Sequence, residues 1–151
     1  MEYAKSLKEN PRSGTLRIKN PAVIGATLDL GHCLDLTDFH NLCLLKTAYQ
    51  ILTKTYNKSG FSIPENKSLK NSNDLLIREL DCAVIETIHK ILEEKGMENF
   101  DSVKGVFWEG DELYPNAGIK EKNHVQICIR NPNCMKGLFI PRIENTKYKK
   151  V

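Results

Sequence analysis

Hydrophobic positions change their spacing twice along this chain, and those changes mark out its elements. From Phe39 onward, Phe39, Leu42, Leu45, Tyr49, Leu52 and Tyr56 recur at helical spacing as far as Ser59-Gly60, with Thr37 or Asp38 ahead of them as a cap. A second run, Leu76, Leu80, Ala83/Val84, Thr87/Ile88 and Ile91, predicts another helix, capped by Ser72, Asn73 or Asp74 and stopped by Gly96 in a left-handed conformation. Ahead of both, the apolar and partly β-branched run Ala22 to Leu30 reads as a buried central strand, with Gly25 letting a neighbour approach closely. Gly31 to Leu36 reads as a turn and a short extended piece. Beyond the second helix the period drops to two, which predicts strands at Ser102 to Trp108, Asn123 to Arg130 and Lys136 to Pro141. Asn131-Pro132-Asn133 is expected to join the last two as an antiparallel pair. A short helical piece over Met1 to Asn10, ended by Pro11, a polar loop over Arg12 to Asn20 and a loop over Phe61 to Asn71 fill the remainder.

One strand, two helices and then three strands is an α+β order, not a βαβ repeat, so the expected fold is a small mixed or antiparallel sheet with two main helices. At 151 residues the chain suits one core, read as a single domain over residues 1–141 with a basic tail over 142–151. Its 40% hydrophobic and 27% charged residues are ordinary for a globular protein, and the net charge of +3 is too mild to point to nucleic acid. The basic residues gather at the two ends, Lys5, Lys8, Arg12, Arg17 and Lys19 at one and Lys147, Lys149 and Lys150 at the other. Solvated tails are the main reading of these runs, and nucleic-acid contact is the minority one. Five cysteines are an odd number, and Cys82 and Cys128 fall on a helix and a strand and are expected to be small buried apolar residues, which fits a reducing cytoplasm better than a disulfide framework. No apolar run resembles a signal peptide or a membrane span, so no membrane partner is expected.

Candidate chemistry gathers late in the chain. On the strand Asn123 to Arg130, Val125, Ile127 and Ile129 share one face while His124, Gln126, Cys128 and Arg130 share the other. With the apolar face in the core, the polar row either meets water or lines a cleft, where His124 and Gln126 hydrogen-bond a ligand and Glu121 holds it. Trp108, Glu109, Asp111, Glu112, Tyr114, Pro115 and Asn116 precede it, a set that suits stacking a base or sugar and equally suits an exposed turn. No metal site is expected: His40 and Cys43 make an H-x-x-C step, but four tetrahedral ligands do not assemble by local spacing. Cys128 lies too far along its strand from His124 for a cysteine nucleophile and its base, and His89 on the second helix reads as a core residue. Phosphate-binding glycine loops are missing.

Several stretches carry a resemblance: Val23-Ile24-Gly25-Ala26-Thr27-Leu28-Asp29-Leu30-Gly31, Cys33-Leu34-Asp35-Leu36, Leu80-Asp81-Cys82-Ala83-Val84-Ile85, Gly105-Val106-Phe107, and Glu121-Lys122-Asn123-His124-Val125-Gln126-Ile127 with Arg130-Asn131-Pro132. Together, over nearly the whole chain, they resemble a bacterial and phage-associated family related to ADP-ribosyltransferase-like toxin domains. The resemblance implies an NAD cleft between two small sheets and transfer of ADP-ribose from NAD to a macromolecular acceptor, in a toxin or phage-defence setting. The late-strand position of that fold falls on Glu121 to Gln126, so Glu121, His124 and Gln126 become the candidate catalytic residues. Glu121 would supply the carboxylate for the ribose hydroxyl, His124 would orient the ribose, and Tyr114 and Asn116 would bind NAD, Tyr114 by stacking on nicotinamide. Two departures stand out. The strand itself carries no glutamate, and the early strand with a His-Gly or Arg-Gly step is not in the sequence, as though the chain begins inside the helix that follows it. The resemblance therefore implies the C-terminal portion of such a domain, with the edge of the strand Ala22 to Leu30 left exposed. The alternative, from another class, is a non-catalytic binding or assembly module that uses the same cleft and the basic ends.

Overall fold

A computed structural model describes residues 19–20, 22–68 and 74–141; the expected helix at the start, the caps Ser72 and Asn73, and the basic tail lie outside them. In chain order the described residues form β1 (Gly25–Leu28), β2 (Cys33–Asp35), α1 (Phe39–Ser59), β3 (Asn66–Lys67), β4 (Ile77–Arg78), α2 (Glu79–Glu94), β5 (Ser102–Phe107), β6 (His124–Ile129), a 3-10 turn (Pro132–Cys134) and β7 (Met135–Phe139). This is a small α+β fold with two helices and small sheets. Contacts divide the chain into two units, Leu30–Cys134 and a second formed by the segments up to Asp29 and from Met135.

The unit Leu30–Cys134 is built on a mixed sheet in the order β2-β5-β6, with β2 parallel to β5 and β6 antiparallel to it. Leu34 and Val103 sit opposite each other on β2 and β5 and so point to one side, where they meet Ala48 and Leu52 of α1, Val84 and Ile88 of α2, and Phe100. Burying each of these larger side chains contributes roughly 1.5–3 kcal/mol, and the two helices cover this side of the sheet for that reason. α1 starts where the sequence says: the Asp38 carboxylate accepts the N–H groups of His40 at 2.7 Å and Asn41 at 3.3 Å, and Gly60 ends the helix at φ 72°. Its buried stripe is rotated from the expected one. Ala48 and Leu52 are buried with Leu44, Leu45 and Tyr56 packed against the core, while Phe39, Leu42 and Tyr49 are exposed.

α2 begins later than expected. Asp74 does not cap it; instead the Asn66 side chain of β3 accepts the N–H groups of Leu80 at 3.0 Å and Asp81 at 3.3 Å and donates to the Asp81 carboxylate at 2.8 Å. A cap from a residue this far upstream leaves no local signature, and Leu76 stays exposed before the helix. Gly96 takes the left-handed conformation expected of it, at φ 64°.

In the second unit, β1 and β7 pair antiparallel, with a register shift between Thr27 and Leu28. Gly25 faces Phe139, and a Cβ there would overlap the aromatic ring, so the close approach read from the sequence is present. The expected buried central strand is not: β1 is four residues long, is exposed or half-buried throughout, and pairs with β7 alone among the described strands. Gly25-Ala26-Thr27-Leu28 offers little apolar surface for a core to bury. Nor do the last two strands pair. Asp101 O accepts both Arg130 N–H and Asn131 N–H at 2.9 Å, which fixes the end of β6 to the start of β5, and Cys134 N–H closes the following turn on Asn131 O at 3.0 Å.

Candidate functional site

Residues 108–123 form an ordered arm between β5 and β6. Leu113 N–H donates to Ile119 O at 3.0 Å and Glu112 bridges Lys120, while Glu121 N–H donates to Asp111 O and Lys122 N–H to Glu109 O, each at 3.0 Å. At the tip, Ala117 N–H donates to Tyr114 O at 2.9 Å around Pro115 and Asn116, and Asn116 has φ 64°. That is the turn its Pro-Asn sequence announces, because asparagine tolerates the left-handed region. The arm is stapled at its base by Asp74, whose carboxylate accepts Gly110 N–H at 2.9 Å and lies 3.9 Å from Lys120 Nζ.

The faces of β6 follow from its register. Cys128 lies opposite Val103, so Cys128, Gln126 and His124 share the helix side with Val103, Gly105 and Phe107. Val125 and Ile127 lie with Val106 and Lys104 on the other side, where Val125 is 55% and Ile127 41% exposed. The grouping of residues on β6 is as the sequence indicates, but the apolar face is not the one in the core. Alternation separates two faces; only the pairing with β5 says which of them meets the helices.

This places the polar row beside α2. His124 Nδ1 lies 2.7 Å from Lys122 O and must donate to it, which leaves Nε2 as the acceptor for the Gln126 amide, also at 2.7 Å. The His124 ring stacks on Phe107 at 6.0 Å between centroids, and the Arg78 guanidinium lies 4.5 Å from the Phe107 centroid. Arg78 is itself fixed by Asp81 at 3.2 Å, so a cation and an imidazole both meet the Phe107 ring at the start of β6. Sequence reasoning singled out neither Arg78 nor Phe107 for this place; a residue at a helix start and one on another strand carry no mark of their meeting.

Of the five sequence candidates, His124 and Gln126 are brought into direct contact. Glu121 stands at the base of the arm, where a Cβ on Gly110 would lie 3.4 Å from its carboxylate. Tyr114, 57% exposed, and Asn116 sit at the tip, beyond the Glu112–Lys120 bridge, and are not joined to the other three by a hydrogen bond.

A second polar cluster lies at the other end of β5 and β6. Asp101 accepts His32 N–H at 2.8 Å and the Asn131 amide at 2.7 Å, and these bonds, Asn131 first, hold its carboxyl below the usual range. Arg130 forks onto Glu86 of α2 and lowers the Glu86 pKa. Glu98, Asn99, Phe100, Asp101, Arg130 and Asn131 line a cavity of about 480 Å³ that includes none of the five candidates. His89, 2% exposed, has neither ring nitrogen partnered among the described residues, and burial pushes its pKa down.

Among the described residues no group of three or more His, Cys, Asp or Glu side chains is placed to hold a metal ion, and no helix is long and apolar enough to cross a membrane. Compared with family models, curated proteins and solved structures, the chain matches none.

Proposed function

We propose that the chain is the C-terminal portion of an ADP-ribosyltransferase-like domain, with the arm and the start of β6 as part of its site and Glu121, His124 and Gln126 as the residues that meet NAD. The observation that carries this reading is the His124–Gln126 contact on the helix side of β6, beside Phe107 and Arg78. It supports the resemblance because a polar row at the front of a late strand is where that family handles the ribose. The donor set also suits the ligand: the Glu121 carboxylate accepts ribose hydroxyl protons, the His124 ring fixes the Gln126 amide, whose second N–H is left to donate, and Arg78 carries charge of the sign a pyrophosphate needs. In the reaction the C1′–N bond of NAD breaks, nicotinamide leaves with the bonding pair, and the acceptor nucleophile bonds to C1′ and loses its proton. Glu121 would stabilise the positive charge at C1′ and take that proton.

Incubating the protein with NAD labelled in the ADP-ribose moiety and with cell extract tests the reading. Labelled macromolecule or released nicotinamide is expected, reduced ~10²-fold or more by Glu121→Gln. Neither product from the unaltered chain overturns it.

The alternative, a non-catalytic binding or assembly module, is favoured by one different observation: Val106, Val125 and Ile127 form an exposed apolar patch on the side of the sheet away from the helices. It predicts that alanine at Glu121, His124 and Gln126 leaves function in cells intact, while charge reversal at Lys147, Lys149 and Lys150 abolishes capture of a partner.

A further inference from the structure

The free edge of β6 carries its own complement. Leu36 N–H donates to Lys104 O, so the backbone of Lys104 faces β2, and by alternation Val103, Gly105 and Phe107 turn theirs toward β6. Their partners Cys128, Gln126 and His124 turn back toward β5. Val125, Ile127 and Ile129 are therefore left with N–H and C=O groups pointing off the sheet, and none has a partner on that side among the described residues. Water satisfies such a row in the monomer, and another extended strand can replace it with a continuous ladder. Exposed edges of this kind are ordinarily guarded by a charge, a proline or a bulge, and Asn123 to Ile129 has none of the three.

We propose that the occupant is a second copy of this chain, its β6 antiparallel to the first across a two-fold axis centred on Ile127, continuing the sheet to six strands. The choice of occupant rests on the sequence of the strand. Asn123, Val125, Ile127, Ile129 and Asn131 occupy alternate positions and read apolar-for-apolar and Asn-for-Asn in either direction about Ile127. In that register Ile127 meets its own counterpart and Val125 meets Ile129, each through the outward backbone groups, and the exposed patch grows across the axis. Charge selects the same register. A two-fold centred on Gln126 would set Lys122 against Arg130 of the partner subunit, and one centred on Val125 would set Lys120 against it; centred on Ile127, Lys122 meets a proline and Arg130 meets His124. The pairing also brings the partner subunit's Arg130 alongside His124. It rests on the edge geometry and not on the transferase reading, and fails or stands separately from it.

Sedimentation of the whole chain over a wide concentration range, with hydrogen exchange at the two extremes, tests the proposal. A dimer is expected, with exchange at Val125, Ile127 and Ile129 slowing about tenfold or more as it forms. Ile127→Lys, at an exposed position, should keep the circular dichroism of the fold and weaken dimerisation at least about tenfold by setting like charges on the axis. Leu113→Lys, on the arm, should leave the dimer intact. A chain that stays monomeric at millimolar concentration, or a dimer that Ile127→Lys leaves unchanged while those three amides stay fast, overturns the proposal.

Discussion

β5 and β6 are neighbours in one sheet with complementary registers, yet one is a packing strand and the other is not. β5 buries Val103 and Gly105 on the helix side and Ser102, whose hydroxyl donates to Leu30 O, on the other, while β6 shows only His124 and Ile129 even half-buried. Both are rich in branched apolar residues, so composition does not separate them. Position does: the helices cover β2 and β5, while among the described residues β6 is tied in by the contact of His124 with Phe107, over which Arg78 lies, and by Arg130 just beyond its end, which forks onto Glu86 of α2. A strand held by its polar contacts leaves its apolar residues Val125 and Ile127 exposed.

The contrast can be broken most strongly by truncating each strand's side. Ile88→Ala, beneath the sheet and 1% exposed, should cost about 2–5 kcal/mol of stability in a denaturant titration. Ile127→Ala on β6, measured in dilute protein, should stay within about 1 kcal/mol. Equal losses would mean that β6 is packed after all.

Acid should then reach the packed side first. Burial holds His89 below its ordinary value of 6.5, so the unfolded chain takes the proton before the folded one. Stability is complete above that value and falls as the pH drops below it, levelling once the folded ring also protonates. A second decline belongs to three carboxylates held low in the fold: Glu86, lowered from 4.5 by Arg130; Asp35, which Lys104 at 2.6 Å and the Thr37 N–H and hydroxyl lower from 3.8 to about 2; and Asp101; it opens as the pH falls through 4.5 and deepens below 3.8. His89→Leu should abolish the first decline and spare the second, read from thermal melts across the acid range. A first decline that survives the substitution would assign it elsewhere.

Those two groups also show what sequence could and could not tell. Thr37-Asp38 ahead of a periodic run announced the start of α1 to within one residue, Gly60 and Gly96 announced the ends of both helices, and Pro115-Asn116 announced the turn at the tip of the arm, because each acts within a few residues of itself. The start of α2, the partner of β7 and the covered face of β6 were not legible, since Asn66, β1 and Val103 decide them from far along the chain. The candidate site divides the same way. His124 and Gln126 were placed together by strand alternation alone, whereas Arg78 and Phe107 arrive by tertiary contact.

A smaller effect sharpens the account of the arm. Asp74→Ala removes the acceptor of Gly110 N–H and the partner of Lys120, and should raise amide exchange at Gly110 by an amount equal to roughly 1–3 kcal/mol of local stability, with the melting of α1 unaffected. Unchanged exchange at Gly110 would show that Asp74 does not hold the arm.

The central claim is that the start of β6 meets NAD, and titrating NAD into isotope-labelled protein while following backbone amide shifts tests it most directly. The account predicts saturable shifts at Gly110, Glu121, His124 and Gln126, lost in His124→Ala, with the amides of Leu34 and Ile88 unmoved. No saturable shifts, or shifts gathered instead around Asn99, Asp101 and Asn131, would contradict it.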